Sequence, residues 1–415
     1  MPKLPNPGGN GQSTNDRAHH HLVFLDQFRG AAIILVLFCH STLNFTGVLN
    51  EGLYDPVKFL GQMLVGKISW PVFFEFLFFY PCRHCGWLAV AAFFVISGFC
   101  IHLSYSQSAK PDLTAFYVRR FFRIYPPYVL ALLLFGFLFP YSQILFSRWS
   151  DWVRLLAHVL LVHNLSVNLG AVSASYWTIA VETQLYLLFP VLLILVRRYS
   201  FTKALWIVGI IQFSLQATTA ASFGLYHIPP FLISASPFFY WFSWSIGAAL
   251  CDAYLKGQPL PFQKVPPWLW FIAAMATSGF AAHEFCFPFF ALATVSLFAR
   301  ILSNNALGEP RSWFGQFLRI AGTYSYSIYL IHHPLLVAVT ENYKRLFPGI
   351  ENQPFLMFGA GLSSALIIFP LGGLCYHFLE KPSIAFGKRW LQRRSQQLSR
   401  LTPPEISAAG GIVSG

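Results

Sequence analysis

Runs of about twenty mainly apolar residues recur along this chain, and such runs leave few folds open. Crossing the hydrocarbon core of a bilayer takes about 20 helical residues, and there every backbone N–H and C=O must be satisfied inside the protein. Stretches of this kind fall near residues 24–45, 87–105, 126–147, 177–196, 204–222, 231–252, 268–283, 286–303, 320–340 and 355–377. Composition agrees, with 55% hydrophobic, 18% aromatic and only 10% charged residues, outside the range of a soluble globular domain. The expectation is an all-α fold, a polytopic membrane helical bundle of about ten transmembrane helices. Trp70–Tyr80, interrupted by Pro71 and Glu75, is too short and polar to cross and is expected as a re-entrant or interfacial segment. Trp152–Leu165 is expected to lie along the outer interface as an amphipathic stretch.

Charge distribution sets the orientation. With the amino terminus inside, 21 of the 28 Lys and Arg residues fall on the inner side. The other seven are Lys58, Lys67, Arg83, Arg148, Arg154, Lys344 and Arg345. This asymmetry places both termini in the cytoplasm of a multi-pass protein of the cell membrane, the inner membrane if the source is bacterial. The net charge of +13 is then topology signal, and no nucleic-acid partner is needed to explain it. Residues 1–22 lack an apolar core, so they are expected as a disordered cytoplasmic tail and not a cleavable signal peptide. Residues 389–415 are expected as a basic, disordered tail. The seven cysteines form no framework; Cys82 and Cys85 make one CxxC pair in an expected outer loop, structural or redox-labile, and no metal site is expected.

Polar residues inside apolar helices are costly and therefore informative. Arg29 and His40 share the first stretch, eleven residues apart, which puts them within about 20° of one helical face and about 16 Å apart along it. Asp26 stands one turn before Arg29 and can pair with it. For His40 two readings stay open: a hydrogen bond to a neighbouring helix, or a general base held in a dry cavity. Arg119, Arg120 and Arg123 precede the proline-opened third stretch; they read as topology signal or, with Arg119 and Arg123 one turn apart, as a grip on phosphate. Ser97-Gly98 is a small pair that lets another helix approach. Thr178, Glu182 and Tyr186 make a polar stripe at steps of four, in which Glu182 is paired, protonated, or orients an imidazole or a sugar hydroxyl. Ser325, Tyr329 and His332 occupy one side of the ninth stretch, as a hydrogen-bonding seam would.

Taken together, LDQFRG with Arg29 and His40, FFVISGF, the arginine cluster, YWTIAVETQLYLLFP and YSYSIYLIHHP resemble, in order and spacing, the acyltransferase 3 family of integral membrane O-acyltransferases. The resemblance runs from Leu25 to about Lys388, so residues 23–388 are identified as one acyltransferase domain of the single-domain branch, with no esterase-like domain attached. Gln27 departs from a usual glycine, Thr178 from the serine common after Trp177, and His333 from a position often aromatic.

The resemblance implies transfer of an acyl group, acetyl first, from acyl-CoA to a hydroxyl of a cell-envelope carbohydrate, glycolipid or related acceptor. No tightly bound cofactor is implied, and polysaccharide-biosynthesis proteins become natural neighbours. The catalytic assignment falls on His40 as base with Glu182 assisting. Donor binding falls on Arg29, Arg119, Arg120 and Arg123, and Asp26, Trp177, Thr178, Tyr186, Ser325, Tyr329 and His332 support. The competing class is a non-enzymatic transporter or flippase whose intramembrane Arg, His and Glu line a pathway. Release of free thiol from acyl-CoA separates the two.

Overall fold

The computed structural model describes residues 14–43, 47–107, 112–139, 148–170, 172–226, 231–278, 283–304 and 312–401. Among them there is no strand, and the chain is a sequence of helices. These are α1 (Thr14–Ser41), α2 (Gly47–Tyr54), α3 (Pro56–Leu64), α4 (Trp70–Ser106), α5 (Leu113–Phe137), α6 (Trp149–Val159), α7 (Trp177–Tyr199), α8 (Phe201–Tyr226) and α9 (Phe231–Ser234). There follow α10 (Trp241–Leu255), α11 (Pro267–Thr277), α12 (Cys286–Ser303), α13 (Trp313–Thr323), α14 (Ser325–Leu346), α15 (Pro354–Ser363), α16 (Ala365–Cys375) and α17 (Lys381–Leu401).

Among the described residues, seven helices are long and apolar enough to cross a membrane. The remaining expected spans are present as shorter or divided helices. Residues 231–252 split at Pro237, which opens a 3-10 turn (Pro237–Tyr240) ahead of α10. Helix α11 is capped at Ser278, and residues 279–282 lie outside the described chain. The ninth stretch breaks at Tyr324, whose φ of −91° and ψ of 0° end α13 and begin α14.

Trp70–Tyr80 is not a separate interfacial element. It forms the first turns of α4, a single 37-residue helix about 55 Å long. Pro71 falls in the first turn, where its missing N–H costs nothing, so it opens the helix where an interruption was expected. The same helix contains Cys82 and Cys85, which therefore lie on no loop, and every cysteine is free. Likewise α5 runs through Pro126 and Pro127, so the three arginines sit within a helix rather than before one. The N–H missing at Pro126 frees the Phe122 carbonyl, and the Ser383 hydroxyl of α17 donates to it.

Helix α1 is packed between α4 and α13, and α10 crosses α4 at bare backbone. A Cβ on Gly98 would stand 2.1 Å from the Trp244 carbonyl oxygen, and one on Gly247 2.1 Å from that of Val95. The Ser97-Gly98 pair thus makes its close contact within one chain. A second apolar cluster joins α2, α3, the first half of α4 and α15 through Leu53, Phe59, Phe79 and Phe358. At the other end, α16 passes through a π-helical segment (Tyr376–Glu380) into α17, which runs along α5 and pairs Arg394 with Asp112 at 3.0 Å. Of the segments expected as tails, α1 takes in the residues from Thr14 and α17 those as far as Leu401, while 1–13 and 402–415 lie outside the described residues.

Candidate active site

A cavity of about 90 Å³ lies inside the bundle between α1, α4, α5, α7 and α14. Its wall on α4 runs from Val90 to Cys100, about 15 Å of helix. Arg29, Cys100, Arg120 and Arg123 line it together with Glu182, Tyr186, Ser97, Ser325 and Tyr326; Phe93, Thr178 and Tyr329 line it as well.

The charges in this cavity are largely matched, as burial demands. Arg29 donates through Nη1 to Asp26 Oδ1 at 2.7 Å and through Nη2 to Cys100 Sγ at 3.1 Å. Glu182 accepts from the Tyr186 hydroxyl at 2.5 Å, and Glu380, 2% exposed, accepts from the Ser327 hydroxyl at 2.8 Å. Arg120 differs from the others. Its guanidinium lies over the rings of Phe116 and Tyr186, 5.8 and 5.9 Å from their centroids, and its buried Nε has no hydrogen-bond partner. It is the cation of this cavity best placed to take an anionic ligand.

Thr178, Glu182 and Tyr186 of α7 all face the cavity, so the stripe read at steps of four is real. Thr178 Oγ1 is 2.7 Å from the Tyr329 hydroxyl, which also reaches the Ser175 carbonyl at 3.0 Å. Held this way, the Tyr329 ring stands as a partition. It is 5.0 Å from the His332 ring; His332 is 4.9 Å, edge-on, from His40, and His333 is 5.0 Å from His40 and 6.3 Å from His332.

Several assignments from sequence need correction. His40 and the arginines do not share one continuous cavity: His40 does not line it and lies beyond Tyr329 and His332. Glu182 sits with the arginines and hydrogen-bonds Tyr186, so it does not orient the His40 imidazole. Arg119 does not line the cavity, although Arg120 and Arg123 of the same helix do. Trp177 packs instead on Trp87 and Tyr240, with centroids 6.1 and 5.6 Å away. Asp26 does not line the cavity and pairs with Arg29. Sequence reasoning missed Cys100, Tyr326, Glu380 and the contact of His333 with His40; the His-His-Pro run was the one available hint of the last.

A family model described as an acyltransferase domain matches residues 22–372. An O-acetyltransferase OatA from Staphylococcus aureus is 24% identical over 357 residues, covering 76% of this chain and 56% of that protein. Acyltransferase MdmB from Streptomyces mycarofaciens is 30% identical over 125 residues, 29% of this chain and 32% of that protein. An uncharacterized protein from Haemophilus influenzae is 33% identical over 144 residues, 31% of this chain and 58% of that protein. The chain thus spans between a third and three fifths of the length of these relatives, and no solved structure matches it. With 351 residues matched, the chain belongs to this acyltransferase family.

Proposed function

We propose, from that membership and this geometry, that the protein is an integral membrane O-acyltransferase of the cell membrane. It would carry an acyl group, acetyl first, from acyl-CoA to a hydroxyl of an envelope carbohydrate or glycolipid. The observation that carries the reading is Arg120: a buried guanidinium with an unpartnered Nε, facing a slender cavity whose far wall is Tyr329 and, behind it, His332 and His40.

Acyl-CoA enters at the Arg29 end; the basic-residue asymmetry supports a cytoplasmic position for that end and for both termini. Its diphosphate competes for Arg120 first and then for Arg29 and Arg123. The pantetheine arm extends along α1 over the roughly 16 Å that separate Arg29 from His40. The partition is side chain, not backbone, so the thioester passes when the Tyr329 phenol leaves Thr178 and Ser175. His40 takes the acceptor proton as the hydroxyl oxygen bonds to the thioester carbonyl; the C–S bond breaks, and the proton ends on the CoA sulfur.

Purified protein with acetyl-CoA and an envelope glycan fraction as acceptor tests this by release of free thiol. His40→Ala should abolish release while the protein still inserts and elutes as one species. Arg120→Gln should weaken acetyl-CoA binding by about tenfold or more, the worth of one charged hydrogen bond. Wild-type protein that releases no thiol, or an active His40→Ala, removes the reading. Mass spectrometry of envelope carbohydrates from a deletion strain and its parent would identify the acceptor.

A further inference from the structure

Two buried ring nitrogens at the histidine end are unsatisfied, and they belong to neighbouring rings. His332 is fully buried, and its Nδ1 lies 2.7 Å from the Tyr329 carbonyl oxygen. A carbonyl only accepts, so Nδ1 carries the proton and the neutral ring keeps its lone pair on Nε2. That Nε2 has no partner, and neither has Nδ1 of His40, whose ring meets it edge-on at 4.9 Å between centroids. An unpaired buried polar group costs about 1–3 kcal/mol, so a hydrogen bond between the two across this ring contact would relieve both. His40 itself is only partly buried, and its Nε2 is not among the unpartnered buried atoms.

We propose that His332 is a positioning residue for the acyl transfer, an inference that rests on the acyltransferase reading. The Tyr329 carbonyl fixes the tautomer of His332. His332 Nε2 then accepts from His40 Nδ1–H, and that tautomer leaves the His40 lone pair on Nε2, directed at the acceptor hydroxyl. When the hydroxyl proton arrives at His40 Nε2, the imidazolium keeps its Nδ1–H bonded to His332. The arrangement does for His40 what an orienting carboxylate does for the base of a hydrolytic triad, with a neutral partner in place of a charged one. A neutral partner suits this position, because the same neighbourhood already holds His333 and the Arg83 guanidinium, whose fields act on His40.

Two amides separate this role from simple packing. His332→Asn keeps a donor near the Tyr329 carbonyl and removes the acceptor at the Nε2 position; His332→Gln places an amide oxygen there. Thiol release from acetyl-CoA with the glycan fraction is measured for both, with acetyl-CoA binding as the check on the donor site. The expected result is a kcat lowered about 10²–10⁴-fold in His332→Asn with KM for acetyl-CoA within twofold, and recovery to within tenfold of wild type in His332→Gln. Wild-type kcat in His332→Asn, or equal losses in both variants, overturns the role of His332 and leaves the acyltransferase reading standing. Absence of thiol release in the wild type overturns that reading itself. If His332→Asn does not fold, full activity in His332→Phe overturns the inference and activity confined to His332→Gln supports it.

Discussion

Tyr186→Phe tests whether the acidic side of the cavity is built as a directed chain. The Trp244 indole donates to Ser97 Oγ at 3.2 Å, Ser97 donates to Tyr186 Oη at 3.4 Å, and Tyr186 donates to Glu182 at 2.5 Å. An indole can only donate and a carboxylate can only accept, so every link has one direction. Phenylalanine keeps the ring under Arg120 and deletes only the oxygen. Glu182 then loses a charge-assisted hydrogen bond worth about 1.5–3 kcal/mol, and the buried Ser97 hydroxyl loses its acceptor at about 1 kcal/mol. The combined cost of roughly 2–4 kcal/mol corresponds, in a chain of this size, to an apparent melting temperature lower by about 3–6 °C, followed by tryptophan fluorescence in detergent. Glu182, short of one donor, should also draw Arg120 toward itself and raise KM for acetyl-CoA. A cycle with Glu182→Gln isolates the link, with a coupling of about 1–2 kcal/mol expected. A Tyr186→Phe protein that melts with the wild type, or two single costs that simply add, refutes the directed chain.

Packing and burial give two further outcomes. A Cβ at Gly322 would stand 1.6 Å from the Asp26 carbonyl oxygen, so Gly322→Ala must force α13 off α1, and the yield of folded protein should collapse. Gly359, with no atom within 4 Å of its would-be Cβ, should accept alanine with its melting temperature unchanged. Between α6 and α7, outside the spans, His163 stacks on His158 at 3.9 Å, and burial, with His158 beside it, pushes its pKa down to about 3. A depressed histidine contributes stability above its unfolded pKa of about 6.5 and loses it as pH falls toward 3, at about 1.4 kcal/mol per unit. Melting temperature recorded from pH 7.5 to 5 should therefore fall less steeply in His163→Phe than in the wild type.

The sequence carries the bundle because twenty-residue apolar runs admit little else in a membrane, and it carries much of the cavity because 3.6-residue periodicity is local. Thr178, Glu182 and Tyr186 could be placed on one face of α7 without any knowledge of what they face. What periodicity cannot supply is which helix lies opposite. Arg29 and His40 do share a wall of α1, yet Tyr329 and His332 of α14 come between them, a contact made by residues about 290 positions later. Prolines misled for a related reason. Pro71 read as an interruption although it stands in the first turn of its helix, and Pro126 read as the opening of a span because the Ser383 hydroxyl that takes up the freed Phe122 carbonyl is distant in sequence. Cys100 was invisible because nothing about a cysteine in an apolar run announces that Arg29 will donate to it.

The location of Glu380 explains how a helical bundle tolerates three arginines lining an internal cavity. Asp26 answers Arg29 directly, and Glu182 lines the wall shared with Arg120. Glu380, in the field of Arg123 and Arg29, supplies the third carboxylate. It lies eight residues past the end of the family match, at the last position of the π-helical segment that joins α16 to α17. A π turn rotates the residues beyond it relative to a continuous α-helix, and here the residue at its end is a 2% exposed carboxylate on Ser327 rather than a lipid-facing side chain. With as many carboxylates as guanidiniums near it, the cavity limits the uncompensated charge that burial penalises by several kcal/mol. A polyanion would then compete with Asp26 and Cys100 for Arg29, while the Nε of Arg120 has no resident partner. For the proposed acyl-CoA donor, that balance would favour binding, reaction and release over tight retention, as turnover of a soluble co-substrate requires.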